Sequence, residues 1–382
     1  MTKAPLLSYI VLSYNYEGLI GTTLRSILDQ TVQDFEIVIV DDASQDDSLE
    51  VIRAFGDPRI RLLVNEQNLG GAGSYNRAVS AAHGEWLVNL DADDWIAPNK
   101  AERQLAVAAA DPGLDIIGSY VSVVDVHGAR HPDAPQVEAH FNAPYDLALA
   151  DSWIGTNCLC RSSTMIRRAT HLRIGLDDAT MMRAPDYELW TRALSQGCRF
   201  RVVPEQLTFM RLHSSGVTFG DPLATMLELS YAMLRNLVPL CEANALNPTF
   251  ERIVAWTARH PHLSALRPVE IYRLLGMLMT SPSFGDFASF RAALSASDGD
   301  PVLRLIGRRC LVLTGDESTL GGYARKLERD VQAFVAARDY WQQQYEAALE
   351  SRDFWRGQSE GRLTWRLVRL ARRAYSRFSR SS

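Results

Sequence analysis

The sequence predicts an α/β protein with a mostly parallel sheet covered by helices, followed by a helical region and a long C-terminal helix. Three observations lead there. Apolar runs of strand formers alternate with helical spacing from residue 6 to residue 90, polar clusters stand where three of those runs end, and no further strand signal follows Pro222. In an open α/β sheet, ligands bind beyond the carboxyl ends of the strands, so the polar clusters are the first place to look for chemistry.

In chain order, Leu6 to Leu12 reads as a strand and Glu17 to Gln30 as a helix with Leu19, Ile20, Leu24, Ile27 and Leu28 on one face. Phe35 to Val40 is the second strand, which completes a βαβ opening. A helix at Asp47 to Phe55, a strand at Ile60 to Val64, a helix at Gly73 to Ala82 and a strand at Glu85 to Leu90 continue the pattern. Residues 125 to 150, rich in Pro, His and Asp, read as an irregular excursion. Ser163 to Ile166 reads as a strand, Pro185 to Trp190 opens a helix, and Leu207 to Met210 is a last strand. The expected organisation is one domain over 1–220, a helical region over 221–322, a long charged helix over 323–360 and a basic amphipathic tail over 361–382.

With 47% hydrophobic and 22% charged residues in 382, intrinsic disorder is excluded for most of the chain. No run approaches the roughly 18 apolar residues of a membrane span. The apolar stretch Pro5 to Leu12 ends in Ser-Tyr-Asn, without a small-residue cleavage site, so neither secretion nor a transmembrane anchor is expected. The five cysteines form an odd set without CxxC spacing, which points to buried thiols in a reducing cytoplasm. Residues 361–382 carry seven arginines and no acid, so the net −5 of the chain divides into a −12 body and a +7 tail. An acidic body argues against nucleic acid as a partner.

The chemistry is expected at the strand ends. Asp91 and Asp93, one residue apart after an apolar strand, suit a hard divalent ion that takes oxygen ligands and leaves positions open for phosphate oxygens; turn formation before Pro98 would also account for them. Asp186, at a helix start, is placed either to cap the helix or to act as a general base. His213, between a strand and a Ser-Ser-Gly loop, reads as a hydrogen-bonded loop residue or a metal ligand. Gly70, Gly71 and Gly73 lack the lysine of a phosphate-binding P-loop, and neither the dinucleotide glycine fingerprint nor zinc spacing is present.

Six motifs follow one another in the chain: Ser13-Tyr14-Asn15-Tyr16-Glu17, Val40-Asp41-Asp42-Ala43-Ser44, Asn68-Leu69-Gly70-Gly71 leading to Asn76-Arg77-Ala78, Leu90-Asp91-Ala92-Asp93-Asp94, Asp186-Tyr187-Glu188-Leu189-Trp190 and Arg211-Leu212-His213. In this order and context the chain resembles the family-2 glycosyltransferases of GT-A fold over roughly residues 5 to 220. The resemblance implies a GT-A nucleotide-binding domain in which Tyr14 and Asp42 hold the base and ribose, with Glu17 and the loop of Asn68, Gly70 and Asn76 nearby. It implies that Asp91 meets the donor ribose, that Asp93 and His213 hold a divalent metal (Mn2+ or Mg2+), and that Asp186 is the catalytic base. Many members carry an acid immediately before the base, where this chain has Pro185.

The function expected is metal-dependent, inverting transfer of a sugar from a nucleotide-diphosphate donor to a saccharide or lipid-linked acceptor in bacterial surface polysaccharide synthesis. A catalytically idle scaffold and a nucleotidyltransferase are the alternatives. Arg338-Asp339-Tyr340-Trp341 recurs fourteen residues later as Arg352-Asp353-Phe354-Trp355, so 323–360 reads either as a homo-oligomerising coiled coil or as a helix packed on its own body. On a helix, Leu363, Leu367, Leu370, Ala371, Ala374 and Phe378 share one arc opposite the arginines. Residues 362–380 thus read as an interfacial helix for an anionic membrane surface, at the inner face of the cytoplasmic membrane, or as a solvated basic end.

Overall fold

The computed structural model describes residues 4–212, 222–240, 248–263, 268–296 and 304. The chain divides into two compact units, Met1–Gly220 and Asp221–Ser382.

In the first unit, β1 (Leu7–Ser13), β2 (Phe35–Asp41), β3 (Ile60–Val64) and β4 (Trp86–Asp91) pair in parallel in the order β3-β2-β1-β4. The helices α1 (Ile20–Leu28), α2 (Ser48–Arg53) and α3 (Gly70–Ala81) connect them. Leu7, Tyr9 and Val11 alternate onto one face of β1, where they share a core with Ile20, Leu24 and Ile27 of α1. Ile37 to Val40 are all buried, as strands covered on both faces require. The expected strands and helices of this half are found, with α1 beginning three residues later than its apolar spacing suggests. The Tyr16 carbonyl accepts from the amides of Leu19 and Ile20, and Glu17 is drawn into a loop contact instead.

The sheet then turns mixed. β5 (Trp95–Ile96), α4 (Lys100–Ala110), β6 (Ile116–Val124), α5 (Ala134–Phe141), β7 (Met165–Arg167), α6 (Arg168–Ile174), α7 (Pro185–Ser195) and β8 (Phe200–Arg211) extend it to eight strands, ordered β3-β2-β1-β4-β7-β6-β8-β5. β7 is antiparallel to both β4 and β6, β8 is parallel to β6, and β5 is antiparallel to β8. Thus the sheet is mixed, with its parallel half over β1 to β4.

Two stretches differ from the sequence reading. The 125–150 excursion contains α5, because Pro135 sits in the first helical turn, where a missing N–H costs nothing. Its Ala134, Val137 and Phe141 pack with Val121 and Val123 of β6. The last strand is twelve residues long rather than four: the register jumps from Ser119 opposite Val203 to Tyr120 opposite Gln206, so Pro204 and Glu205 are looped out as a bulge and the strand continues past the proline.

In the second unit α8 (Pro222–Ala232), α9 (Pro248–Ala258), α10 (Pro268–Leu278) and α11 (Phe287–Ser295) are the described helices, three of them opening on proline. Tyr231 packs its ring against Phe287 and Phe290 at 5.2 and 5.3 Å. Residues 323–360 and 361–382 lie outside the described residues, and so does His213. Among the described residues no helix is long and apolar enough to cross a membrane. Cys158, Cys160 and Cys198 are free and buried, as expected.

Gly84 packs directly against the backbone of β1, and its amide donates to Ser8 Oγ at 2.7 Å. A Cβ there would lie 2.5 Å from Ser8 N and 2.6 Å from the Leu7 carbonyl carbon, both backbone atoms that cannot swing away. We expect Gly84→Ala to destabilise the fold by about 2 to 3 kcal/mol, the cost of overpacking, measured as a lower midpoint in urea unfolding.

Candidate functional site

Parallel register brings the polar strand ends together: Ser13 pairs with Asp41, and Leu12 with Asp91. The chain leaves β1 and β2 through two residues in the left-handed region, Asn15 at φ 58° and Ala43 at φ 65°. For Ala43 this conformation costs roughly 1 to 2 kcal/mol, and a set of hydrogen bonds between the two loops holds it. Asn15 N donates to Ser44 Oγ at 3.0 Å and Gln45 N to Asn15 Oδ1 at 2.7 Å. Glu17 N donates to Asp46 Oδ2 at 3.0 Å, while Glu17 Oε2 accepts from Asp47 N at 2.9 Å. Glu17 therefore clamps the β2–α2 loop. Tyr14, beside this clamp, is 41% exposed, an open ring at the strand ends.

Asp42 is buried and saturated. Its Oδ1 accepts from Asn65 Nδ2 at 2.6 Å and Leu69 N at 2.7 Å, and its Oδ2 accepts from Gly70 N at 2.9 Å. The carboxylate thus satisfies amides that the start of α3 would leave orphaned. Asn68 bridges the same turn, donating from Nδ2 to the Asp42 carbonyl at 3.3 Å and accepting Gly70 N at 3.0 Å; Gly70 adopts φ 75°. Asn76 is used elsewhere: its amide exchanges two 2.9 Å bonds with the backbone of Asp177.

The end of β4 carries three carboxylates. Asp94 is buried, accepts Arg211 N at 2.8 Å and is pushed well above the usual carboxylate range, first by burial and then by Asp93 and Asp91. Asp91 is pushed up to about 6 by burial and then by Asp93, against the pull of Arg161, and its backbone amide donates to Ser162 Oγ at 3.0 Å. Asp93 takes a hydrogen bond from the hydroxyl of Tyr16, whose own acidity is suppressed by burial and by all three aspartates. Arg211 donates to the Asp93 carbonyl and lies 4.5 Å over the Trp95 ring. Beneath, the fully buried Lys100 donates to the Ser162 carbonyl at 3.1 Å, and burial pushes its ammonium down to about 7.

Asp186 lies in the first turn of α7, one residue after Pro185. The N-cap position belongs to Ala184, and Asp186 Oδ1 accepts the amide of Tyr187 at 2.8 Å while Oδ2 accepts Asn157 Nδ2 at 2.8 Å. Its charge is felt at Asp91 and at Arg161. Arg161 pairs with the buried Asp177 at 2.6 Å and covers the Tyr75 ring at 4.3 Å. The structure therefore joins Asp91, Asp93 and Asp186 in one electrostatic neighbourhood, and gathers Asp42, Asn68 and Gly70 in one hydrogen-bonded turn.

Sequence reading did not assign Tyr16, Lys100, Asn157, Arg161, Ser162 or Arg211 to this neighbourhood. Tyr16 and Arg211 stand inside two of the six motifs, and Asn157 and Ser162 lie beside Cys158 and Cys160. Among the described residues no three His, Cys, Asp or Glu side chains are arranged to hold a metal ion. The acid pair alone is an oxygen-donor platform whose mutual repulsion a hard divalent cation would relieve.

Residues 8–172 match the family described as Glycosyl transferase family 2. The chain is 34% identical over 211 residues to the succinoglycan biosynthesis protein ExoO of Rhizobium meliloti (strain 1021), covering 53% of this chain and 59% of that protein. It is 28% identical over 215 residues to the UDP-Glc:alpha-D-GlcNAc-diphosphoundecaprenol beta-1,3-glucosyltransferase WfaP of Escherichia coli, covering 56% of this chain and 80% of that one. Among solved structures, S. aureus TarS 1-349 in complex with UDP-GlcNAc superposes with a TM-score of 0.52 at 17% identity, over 88% of this chain and 91% of that one.

The raised carboxyl of Asp91 has a thermodynamic signature. A folded-state pKa above the unfolded one means that the native chain binds the proton more tightly, so stability is greatest at low pH and declines as pH rises from about 4 through about 6. In chelator, Asp91→Asn should unfold later than the parent at neutral pH, by about 1 to 2 kcal/mol, and lose this advantage near pH 4. Thermal unfolding across that range checks it, and a gain independent of pH would contradict the assignment.

Proposed function

Since residues 8–172 belong to glycosyl transferase family 2, we propose that this enzyme moves a sugar, with inversion and with the help of a divalent ion, from a nucleotide-diphosphate donor to a saccharide hydroxyl. The observation that carries the reading is the placement of Asp186 at a helix start within electrostatic reach of Asp91, across from the acid pair that ends β4.

The open ring of Tyr14 and the turn built by Asp42, Asn68 and Gly70 form the side of the site suited to the donor nucleotide. Because Asp42 is saturated by protein donors, we assign it to shaping that turn, with base contact falling to Tyr14 and to backbone groups beside it. Asp91 and Asp93 face the donor's ribose and diphosphate, and Asp93 with His213 would hold the ion. When bound, such an ion stabilises the negative charge that gathers on the departing diphosphate. Asp186 Oδ2 and Oδ1 each accept one hydrogen bond, which orients the carboxylate that would take the proton of the attacking hydroxyl. One base suffices for a single displacement at the anomeric carbon, and a single displacement inverts it.

Homology to proteins of polysaccharide synthesis, one of them named for a diphosphoundecaprenol-linked acceptor, supports a lipid-linked acceptor for this chain as well. The arginine-rich stretch 362–380 fits the same reading as a contact with an anionic membrane surface, and 323–360 as a spacer or self-association segment.

Two measurements test the reading. Asp186→Asn should keep donor binding and lose transfer by on the order of 10²-fold or more, since an amide cannot accept the proton; transfer at the parental rate would leave Asp186 as a helix-start residue only. Asp93→Ala should abolish the Mn2+ dependence of nucleoside diphosphate affinity in titration calorimetry, and unchanged metal-dependent affinity would remove Asp93 from the metal site.

A further inference from the structure

A base works only if its carboxylate is aimed, and α7 offers Asp186 little with which to aim itself. The preceding Pro185 has neither an N–H nor a polar side chain, and Ala184 at the cap has only a methyl group. The Tyr187 amide fixes one oxygen, Oδ1. The other oxygen is held by Asn157, twenty-nine residues earlier in the chain, at 2.8 Å.

Asn157 is itself held. Its carbonyl meets His140 Nε2 at 3.1 Å, and its Oδ1 accepts the amide of Leu159 at 3.4 Å. That second contact sets the orientation of the amide group, since with Oδ1 facing an N–H donor the Nδ2 group must face Asp186. Next to it Cys158 is buried, its thiol donating to the Ser152 carbonyl at 3.2 Å. Five residues on, Ser162 Oγ accepts the amide of Asp91. A short strap, 157–162, thus touches the base at one end and the donor-side acid at the other.

We infer that Asn157 is a positioning residue of the transfer reaction, holding the Asp186 carboxylate aimed at the acceptor hydroxyl. This rests on the reading of Asp186 as the base, and the strap makes the distance between base and donor acid a property of six consecutive residues. The amide does not touch the reacting atoms. It fixes which lone pair of Asp186 Oδ2 is left for the incoming proton, because one is already committed to Nδ2.

The full chain is assayed with the best substrate from a panel of UDP-, GDP- and dTDP-sugars with Mn2+, against a soluble acceptor. Asn157→Ala should lower kcat by about 10-fold or more with donor KM within about 2-fold, since the role assigned to Asn157 is to hold the base and not the donor. Asn157→Asp, nearly isosteric, puts a second carboxylate against Asp186, so the two share a proton and the acid limb of the kcat profile should move up by about one pH unit or more. If Asn157→Ala fails to fold, the shifted limb in Asn157→Asp carries the test. Asp186→Asn inactive while both Asn157 variants keep the parental kcat and acid limb would overturn the positioning role and leave the base assignment standing. Asp186→Asn active at the parental rate would overturn both.

Discussion

Crowding of negative charge at the end of β4 is the constraint around which the first unit is arranged. Asp91, Asp93 and Asp94 fall within four residues, Asp186 adds its field, and two of the four are pushed toward their neutral forms by burial and by one another. Each surrounding element contributes one relieving contact: the backbone amide of Arg211 from β8, the hydroxyl of Tyr16 from the β1–α1 loop, and the guanidinium of Arg161 near Asp91. Structure of this kind is expensive to keep for packing alone, since apolar residues would fill the same space at lower cost. Its retention makes sense when a cationic or hydroxyl-rich ligand completes the charge balance.

The opposite principle governs the nucleotide side. Asp42 is as buried as Asp94, yet its lone pairs are filled by Asn65, Leu69 and Gly70 within the protein. One acid thus builds a turn, while those after β4 crowd one another. The same residue type after the same kind of strand has two fates, and only the donors that reach it from elsewhere decide which.

This explains what was legible in the sequence. Parallel strands buried on both faces write themselves as apolar runs, so β1, β2 and β4 could be read directly, and with them the places where Asp42 and Asp91 emerge. α4 could not be read in that way. Its buried face is Lys100, Ala101, Gln104 and Ala108, and it is held by polar contacts, Gln104 donating to the carbonyls of Ile117 and Ser163 at 2.8 and 2.9 Å. Two prolines misled for opposite reasons: Pro135 starts a helix, and Pro204 rides in a bulge of a longer strand. Of the site, the acids were visible because a carboxylate after an apolar strand is conspicuous. Asn157 and Ser162 were hidden because they reach their partners across 29 and 71 residues of chain, and Arg211, though within a motif, showed no role because its partner Asp94 lies 117 residues away.

The longest of those reaches bears on how the protein is made. β1 to β4 are complete once about ninety residues have left the ribosome, and their parallel pairing needs nothing further. The amide that satisfies Asp94 belongs to Arg211, and β8 joins the sheet beside β6, not beside its sequence neighbours. A nascent chain therefore carries Asp94 without the Arg211 amide for more than a hundred residues of synthesis, and loop closure across that length is slow. Proton uptake by the waiting aspartates, or a passing divalent ion, would ease the interval, which ties the vectorial birth of the fold to the same charges that its finished form puts to use.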